Sequence, residues 1–177
     1  MAHWYIGPNP TADMVLFRRR RDGKIDVLLI RRADNSNAHP GQWAVPGGFV
    51  ETDAPRDTPW RPGRESPFQT VVREVQEETG IDLSALAAAG RIRELEVRER
   101  VGRDPRDSLD RWTRTHVFGA VADESEVLGD PTGHDDAGHA AWVPLEEAMG
   151  LALAFDHSDM LRSAARVLLQ GMLDKVG

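Results

Sequence analysis

Three glutamates stand at a spacing that favours metal chemistry. Glu74, Glu77 and Glu78 occupy positions i, i+3 and i+4, and at about 100° per residue such a triplet gathers on one face of a helix. Gathered carboxylates repel one another unless a positive charge lies among them, and Mg²⁺ and Mn²⁺ prefer oxygen ligands of this kind. The spacing indicates a divalent-cation site, although three glutamates alone are more often a solvated acidic face.

The helix that carries these glutamates is predicted from its two ends and its apolar stripe. Ser66 suits the N-cap, Pro67 suits the first helical position, and Gln69 completes a capping box. Gly80 is a natural stop. Apolar side chains recur at helical spacing between these ends and predict a single packed face: Phe68, Val71, Val72 and Val75.

The residues around the glutamates decide between the two interpretations. The run 73–81 reads Arg-Glu-Val-Gln-Glu-Glu-Thr-Gly-Ile, which fits the pattern R-E-U-x-E-E-x-G-U, where U is apolar. This run resembles the Nudix box, and Glu65 and the Gly47-Gly48 pair lie upstream of it. The resemblance implies a Mg²⁺-dependent hydrolase, with Mn²⁺ as the other candidate ion, that cleaves the pyrophosphate bond of a nucleoside diphosphate derivative.

One stretch departs from the Nudix pattern. The family has five residues between the opening glycine and the first glutamate of the box, whereas sixteen separate Gly48 from Glu65 here. The insertion spans about residues 52–64, and loop insertions of this kind are tolerated where the two ends still meet. Its arginines and Trp60 suit phosphate and base contacts, so we expect it to tune the substrate. The alternative is a solvated excursion without catalytic consequence.

Segments outside the box narrow the resemblance to one branch of the family. They are 7–13, 41–48, Asp104-Pro105-Arg106, Asp135-Asp136-Ala137-Gly138 and Phe155-Asp156-His157. Together they resemble the ADP-ribose pyrophosphatases, especially the mitochondrial type, and the ADP-ribose-binding domain of a related cation channel shares the pattern. The resemblance implies hydrolysis of ADP-ribose to AMP and ribose 5-phosphate.

Metal-site roles follow from the resemblance. Glu74, Glu77 and Glu78 are the expected metal ligands, the carbonyl of Gly47 is a further ligand, and Arg73 orients the glutamates. Glu65 is a weaker candidate ligand. The general base stays open between a glutamate of the box and an acidic residue of a later loop, for which the candidates are Asp135 and Asp136.

Substrate-binding roles are also carried over from the family. Asp104 and Arg106 are expected to contact the terminal ribose or a phosphate, and Asp135 and Asp136 to contact substrate. A local ion pair explains the first two equally well, and a polar turn explains the second two. An apolar strand makes Trp43 more typical of a core than of an adenine contact. The remaining candidates lack helical zinc-site spacing and are interpreted as ordinary polar residues: His134, His139 and His157.

The order of predicted elements favours an α/β fold. Asp22-Gly23 between two apolar runs predicts a hairpin, and alternation predicts strands over 91–100, 111–122 and 140–143. A last helix is predicted from about Ser158 to Leu173. The order of strands, helix, strands and helix favours one mixed α/β domain over residues 1–177. The Nudix resemblance implies an α/β/α sandwich with a mixed sheet.

Composition limits the class of protein. The chain has 177 residues, is 40% hydrophobic and 29% charged, and has a net charge of −7, which argues against a broad basic surface for nucleic acid. It has no cysteine, and neither a membrane-spanning apolar run nor a signal peptide is seen. We therefore expect a cytoplasmic protein with a small-molecule nucleotide as partner and neither nucleic acid nor membrane. A monomer and a homodimer both remain open.

Two alternative functions remain. One is a Nudix pyrophosphatase for another nucleotide, such as NADH, a nucleotide sugar or a nucleoside triphosphate, because the box specifies the bond and not the attached group. The other is a catalytically silent ADP-ribose-binding module. The complete glutamate triplet favours an enzyme, since a binding module has less need of it.

Overall fold

The computed structural model describes residues 3–126, 129–133 and 137–173. Within those ranges the strands are β1 (Gly7–Arg19), β2 (Ile25–Arg32), β3 (Trp43–Ala44), β4 (Gly47–Phe49), β5 (Arg93–Glu99), β6 (Arg111–Asp123) and β7 (Ala137–Pro144). The helices are α1 (Pro67–Thr79), α2 (Ser84–Ala88), α3 (Leu145–Gly150) and α4 (His157–Leu173), with a short 3₁₀ turn at Glu124–Glu126. The predicted strands and the last helix are confirmed within a few residues, whereas the short helices α2 and α3 were not predicted.

The strands of these ranges form one mixed sheet around β1. One edge of β1 pairs in parallel with β6 from Gly7↔Arg111 to Arg19↔Asp123. The other edge pairs antiparallel with β2 near the end of β1 and with β4 near its middle. β3 and β7 both pair with β2, and β5 pairs with β6. Between β3, which pairs with β2, and β4, which pairs with β1, the chain crosses from one strand to the other and places Gly47 and Gly48 opposite Asp13 and Ala12.

Helices cover both faces of the sheet, so the α/β/α sandwich is confirmed. Side chains of successive strand residues point to opposite faces, and β1 is apolar on both sides. Ala12, Met14 and Leu16 pack with helix α1 and with the turn and helix α2 that follow it. Val15 and Phe17 pack with α3 and α4. A strand buried on both faces reads as a continuous apolar run, which explains the sequence of β1.

Helix α1 begins and ends where the sequence predicts. The Ser66 side chain accepts a hydrogen bond from the backbone N–H of Gln69, and the Gln69 side chain bonds back to complete the capping box. Gly80 has a φ of 71°, the left-handed conformation of a helix C-cap. Val71 and Val75 are fully buried, whereas Phe68 is 37% exposed. The helix therefore docks through its two valines and leaves the glutamate side at the border of the packed face.

The predicted hairpin at Asp22-Gly23 is confirmed. Phe17↔Val27 and Arg19↔Ile25 are paired across it, and Gly23 has a φ of 81°. The arginines of this turn bond to neighbouring carboxylates, Arg18 to Asp26 at 2.8 Å among them. Arg19 and Arg20 likewise pair with Asp123 and Asp22, so these side chains are bonded to carboxylates of the protein itself. No helix in the described ranges is long and apolar enough to cross a membrane.

Candidate active site

A cleft of about 740 Å³ opens where β1, β4 and α1 meet the loops before β6 and α4. Its volume lies within the usual range of ligand pockets, about 300–1,000 Å³. Segments distant in the sequence contribute to its lining, including Asp13, Gly47, Gly48, Glu65, Arg73, Glu74, Glu78, Arg103, Asp104, Arg106, Phe155 and His157. The fold therefore gathers most of the predicted site residues at one place.

Arg73 is the central cation of the carboxylate cluster. Its Nη1 donates to Glu74 at 2.8 Å and to Glu77 at 2.9 Å. Its Nε and Nη2 donate to the two oxygens of Glu65 at 2.7 and 3.1 Å, and Nη2 also bonds to the carbonyl of Phe49 at 3.3 Å. One guanidinium thus bonds to three carboxylates and ties the helix to β4.

The two box glycines permit close contact between β4 and the helix. A Cβ on Gly47 would collide with Asp13 and the backbone of β1, and a Cβ on Gly48 would collide with the Glu74 carboxylate. The N–H of Gly47 donates to the Glu78 carboxylate at 2.9 Å. The carboxylates of α1 therefore lie directly against the backbone of β4, which only glycine permits at these positions.

Burial gives the helix carboxylates unusual electrostatics. Burial raises the pKa of Glu78 well above its ordinary value, against the opposing hydrogen bond from Gly47. Burial likewise raises the pKa of Glu74, against the opposing charge of Arg73. A buried carboxylate is stabilised in its charged form when a cation approaches it.

These residues fit a hard divalent cation in their donor chemistry. Their oxygens are the ligands that Mg²⁺ and Mn²⁺ take, and Glu78 has only a backbone N–H as its hydrogen-bond partner in the described ranges. Across those ranges, however, no three acidic or histidine side chains already stand in an arrangement that could hold an ion. Arg73 bonds to one oxygen of Glu74 and to one oxygen of Glu77, so the second oxygen of each carboxylate can face a cation.

Asp13 and His157 form a buried pair that sequence analysis did not single out. The His157 Nε2 lies 4.0 Å from the Asp13 carboxylate, and its Nδ1 accepts a hydrogen bond from the N–H of Val45 at 3.1 Å. Burial raises the pKa of Asp13 to about 7 and lowers the pKa of His157 to about 3. His157 is therefore a neutral, buried residue of the cleft and not an ordinary surface histidine.

Arg103 stabilises the wall of the cleft that lies opposite the glutamates. It forms a two-pronged ion pair with Asp156, with both N–O distances 2.8 Å. Its Nη1 donates to Thr113 at 3.1 Å and to Thr115 at 2.8 Å on β6. Burial opposes the charge on Asp156, but the hydrogen bonds and charge of Arg103 outweigh it and lower the pKa of that carboxyl. This pair fixes the loop before α4 against the sheet.

Asp104 and Arg106 line the cleft and also pair with each other. Arg106 donates through its backbone N–H and its Nε to Asp104, both at 2.8 Å. Its guanidinium lies 5.5 Å from the ring centre of Phe49 and 6.0 Å from that of Phe155. Asp104 and Arg106 thus form the local ion pair and also lie at the cleft, as each of the two interpretations of these residues requires.

Other predicted residues are placed less centrally. The Glu77 side chain is 44% exposed and lies outside the lining of the cleft. The Glu65 carboxylate accepts hydrogen bonds from Arg73, from the hydroxyl of Thr70 and from the N–H of Glu51. Trp43 packs with the core, as predicted. Three residues lie outside the described ranges, and their roles remain predictions: His134, Asp135 and Asp136.

The two ends of the insertion meet beside the cleft. Thr52 donates to the carbonyl of Arg61 at 2.6 Å, and a Cβ on Gly63 would lie 2.8 Å from the Cα of Thr52. Thr52, Asp53 and Arg64 line the cleft, whereas Trp60 is half-buried and does not. The excursion therefore closes on itself and leaves Glu65 in contact with Arg73 of the helix.

Comparisons with known proteins match nearly the whole chain. The NUDIX domain family matches residues 7–164. An ADP-ribose pyrophosphatase of Methanocaldococcus jannaschii is 30% identical over 162 residues, covering 92% of this chain and 76% of that protein. The ADPR responsive transcriptional repressor NtrR of Acinetobacter baylyi is 31% identical over 163 residues, covering 90% of this chain and 54% of that protein. The chain thus spans about half the length of the repressor.

A solved structure shares the fold. The NUDIX domain of Shewanella oneidensis NrtR, crystallised with ADP ribose, superposes with a TM-score of 0.71 at 25% sequence identity. The alignment covers 91% of this chain and 88% of that domain. The mixed sheet between helices is therefore the arrangement of a known ADP-ribose-bound protein.

Proposed function

We propose that this chain, which belongs to the NUDIX family, hydrolyses the pyrophosphate bond of ADP-ribose with the help of a bound divalent cation and releases AMP and ribose 5-phosphate. The observation that carries the proposal is the carboxylate cluster of α1, set against the backbone of Gly47 and Gly48 at one end of a ligand-sized cleft. Nudix proteins are usually pyrophosphohydrolases that use divalent metals.

The carboxylate end of the cleft supplies the expected ligands. Glu74, Glu77 and Glu78 would hold Mg²⁺ or Mn²⁺, together with the carbonyl of Gly47. A bound ion of this kind neutralises phosphate charge and lowers the pKa of a water molecule. Arg73 keeps the carboxylates oriented while no ligand is present, because it bonds to Glu65 independently of Glu74 and Glu77. Glu65 is therefore better suited to holding Arg73 than to binding metal.

Hydrolysis also needs a group that accepts a proton from the attacking water. The cleft carboxylates with raised pKa are Asp13, Glu74 and Glu78, and a general base works best when its pKa lies near the operating pH. Asp13 meets that condition and adds a candidate to those of the box and of the later loop at Asp135 and Asp136. The protein thus supplies acceptors without a serine or cysteine nucleophile.

The opposite wall suits the ribose and phosphate end of the substrate. Arg106 is held in place by Asp104, and Arg103 by Asp156, so their guanidinium groups are oriented before substrate arrives. Oriented arginines favour binding of phosphate groups. The likeness to proteins named for ADP-ribose supports this substrate over other nucleotides.

A catalytically silent ADP-ribose-binding module is the second candidate. Its support is the likeness to an ADPR responsive repressor. In that case the Nudix fold would act as the ligand-sensing part of a larger assembly.

A substrate panel separates these functions. Purified protein is incubated with Mg²⁺ and ADP-ribose, NADH, a nucleotide sugar or a nucleoside triphosphate, and the products are separated by chromatography. We expect the highest kcat/KM for ADP-ribose, with AMP and ribose 5-phosphate in equal amounts. Preference for a triphosphate with release of pyrophosphate would assign another substrate. Tight ADP-ribose binding without any product would identify the silent module.

A further inference from the structure

The N-terminal segment, residues 3–6, is held against the insertion. The N–H of Ile6 donates to the carbonyl of Thr58 at 3.0 Å, and the N–H of Asp57 donates to the carbonyl of Trp4 at 2.9 Å. Ile6 and Pro59 form a parallel β-bridge. The insertion therefore has a binding partner inside the molecule and is not merely a solvated excursion.

A second set of contacts ties the segment to the loop before β6. His3 is buried and hydrogen-bonds to the buried carboxylate of Asp107 at 2.6 Å. Arg111 donates to the carbonyls of His3 and Trp4 at 3.1 and 3.2 Å, and it forms an ion pair with Asp57 of the insertion at 2.8 Å. Arg111 thus joins the segment, the insertion and the sheet.

These contacts place an aromatic surface on one wall of the cleft. Trp4 and Tyr5 line the cleft, and Trp4 remains 46% exposed. The Trp4 ring stacks on Phe49 with 5.9 Å between ring centres and 30° between planes. Phe49 directly follows Gly48, and its carbonyl accepts from Arg73. The indole is therefore continuous with the end of the cleft that carries the glutamates.

The Trp4 ring is covered by a weakly held cation. The guanidinium of Arg56 lies 4.7 Å from the ring centre, and among the described residues no carboxylate lies within ion-pair distance of it. An exposed cation–π contact is weaker than stacking of a base on an aromatic ring. Trp4 lines the cleft whereas Arg56 does not, so part of the indole is open to a base inside the cleft.

We propose that Trp4 is the residue on which the nucleobase stacks, and that the insertion acts through Trp4 by fixing the N-terminal segment. This inference rests on the proposed nucleotide substrate and names the specificity-determining residue of the same cleft. The Trp4 indole is large and half exposed in a ligand-sized cleft. Because the backbone of its segment is held by the insertion and by Arg111, the indole offers a base a rigid face, and little conformational entropy is lost on binding. The insertion is a positioning element for that face.

Binding of the two halves of the substrate tests the inference separately from hydrolysis. AMP carries the base and ribose 5-phosphate does not, and neither contains a pyrophosphate bond. Calorimetry should show that Trp4→Leu weakens AMP binding by about 10-fold or more and leaves ribose 5-phosphate binding unchanged. Trp4→Phe, which restores an aromatic face, should stay within about 3-fold of wild type for AMP. Trp112→Leu, which changes a tryptophan outside the cleft, is the matched control.

Several outcomes would overturn the inference without touching the hydrolytic function. Unchanged AMP binding in Trp4→Leu, or equal weakening of AMP and ribose 5-phosphate, would show that Trp4 does not contact the base. Absence of hydrolysis together with Trp4-dependent AMP binding would refute only the catalytic proposal. Wild-type protein that binds no AMP would refute the stacking proposal, and the product assay alone would then decide the hydrolytic one.

A double-mutant cycle tests the positioning role of the insertion. The insertion is cut to five residues between Gly48 and Glu65, alone and together with Trp4→Leu. If the insertion acts through Trp4, the two changes are not additive, and the double variant binds AMP no more weakly than the worse single variant. Additive losses would show that the insertion contributes by a separate route.

Discussion

At the scale of single residues, the cleft places several carboxylates close together at its α1 end. Burial raises the pKa of Asp13, Glu74 and Glu78, so the charged forms of these carboxylates carry an electrostatic cost that the proposed divalent ion would relieve. Arg73 offsets part of that cost by bonding to Glu74 and Glu77. The guanidinium thus reduces the repulsion among the neighbouring glutamates of α1.

The buried Asp13 predicts a pH-dependent stability change. Its pKa rises from 3.8 to about 7 on folding, so the folded protein binds more protons than the unfolded chain between about pH 4 and 7. Asp13 therefore makes stability fall as the pH rises through that window. In EDTA, Asp13→Asn should be more stable than wild type at pH 8, by at most about 4 kcal/mol, and no more stable below pH 4.

Urea unfolding at pH 8 and pH 4 measures this difference. His157, with its pKa lowered from 6.5 to about 3, has the opposite effect and makes stability rise with pH between those values. Comparing variant with wild type at one pH largely removes that contribution. Asp34→Asn, at a side chain that is 83% exposed, should change little at either pH. An Asp13→Asn protein less stable than wild type at pH 8 would refute the account.

At the scale of elements, the site depends on how closely β4 lies against α1. Gly48 has no Cβ to collide with the Glu74 carboxylate, and Gly47 bonds directly to Glu78. The capped start of α1 fixes the rotation of the helix, and its two buried valines fix its distance from the sheet. The carboxylates are thus positioned by backbone packing as well as by Arg73.

Gly48→Ala should therefore damage catalysis more than folding. The added Cβ pushes the Glu74 carboxylate from its place, and misplacement by about 1 Å can cost up to about 100-fold in rate. We expect kcat for ADP-ribose to fall about 10- to 100-fold while the circular dichroism spectrum is kept. Gly150→Ala, where a Cβ would meet no atom within 4 Å, should have the wild-type rate. A wild-type rate in Gly48→Ala would show that Glu74 need not lie here.

Shortening the insertion should affect binding more than turnover. Its two ends meet at Thr52 and Gly63, so a loop of five residues can connect Gly48 to Glu65 without moving α1. We expect folding and metal dependence to persist, with KM for ADP-ribose raised more than kcat is lowered. Steady-state kinetics would measure both constants. A shortened protein that folds and binds metal but turns over no pyrophosphate would place an essential catalytic group in the loop.

At the scale of the whole molecule, local features were predictable and long-range ones were not. Each local signal involves residues only a few positions apart in the sequence, and the structure contains each of them: the capping box, the stop at Gly80, the hairpin at Asp22-Gly23 and the motif 73–81. The sandwich followed from the family resemblance. The parallel pairing of β1 with β6 joins residues about 104 positions apart, and no local pattern specifies it.

The candidate site also contains residues that only long-range contacts bring together. Asp13 precedes an apolar run and looks like part of a strand, and His157 looks like a helix start; only the fold brings them to 4.0 Å. Arg103 precedes the predicted Asp104-Pro105-Arg106 segment, yet its partner Asp156 is 53 positions away. The signals available for Asp13 were its charge beside an apolar run and its place at the end of the family-like segment 7–13. Spacing alone also could not show that Glu77 lies outside the lining of the cleft.

The rate of AMP formation from ADP-ribose as a function of Mg²⁺ concentration tests the central claim most directly. We predict a saturable dependence on Mg²⁺, no turnover in EDTA, and rates lowered about 100-fold or more in Glu77→Gln and Glu78→Gln while the fold is kept. Glu99→Gln, on β5 and outside the cleft, should match wild type. Full activity in EDTA, or wild-type rates in both glutamine variants, would contradict the account.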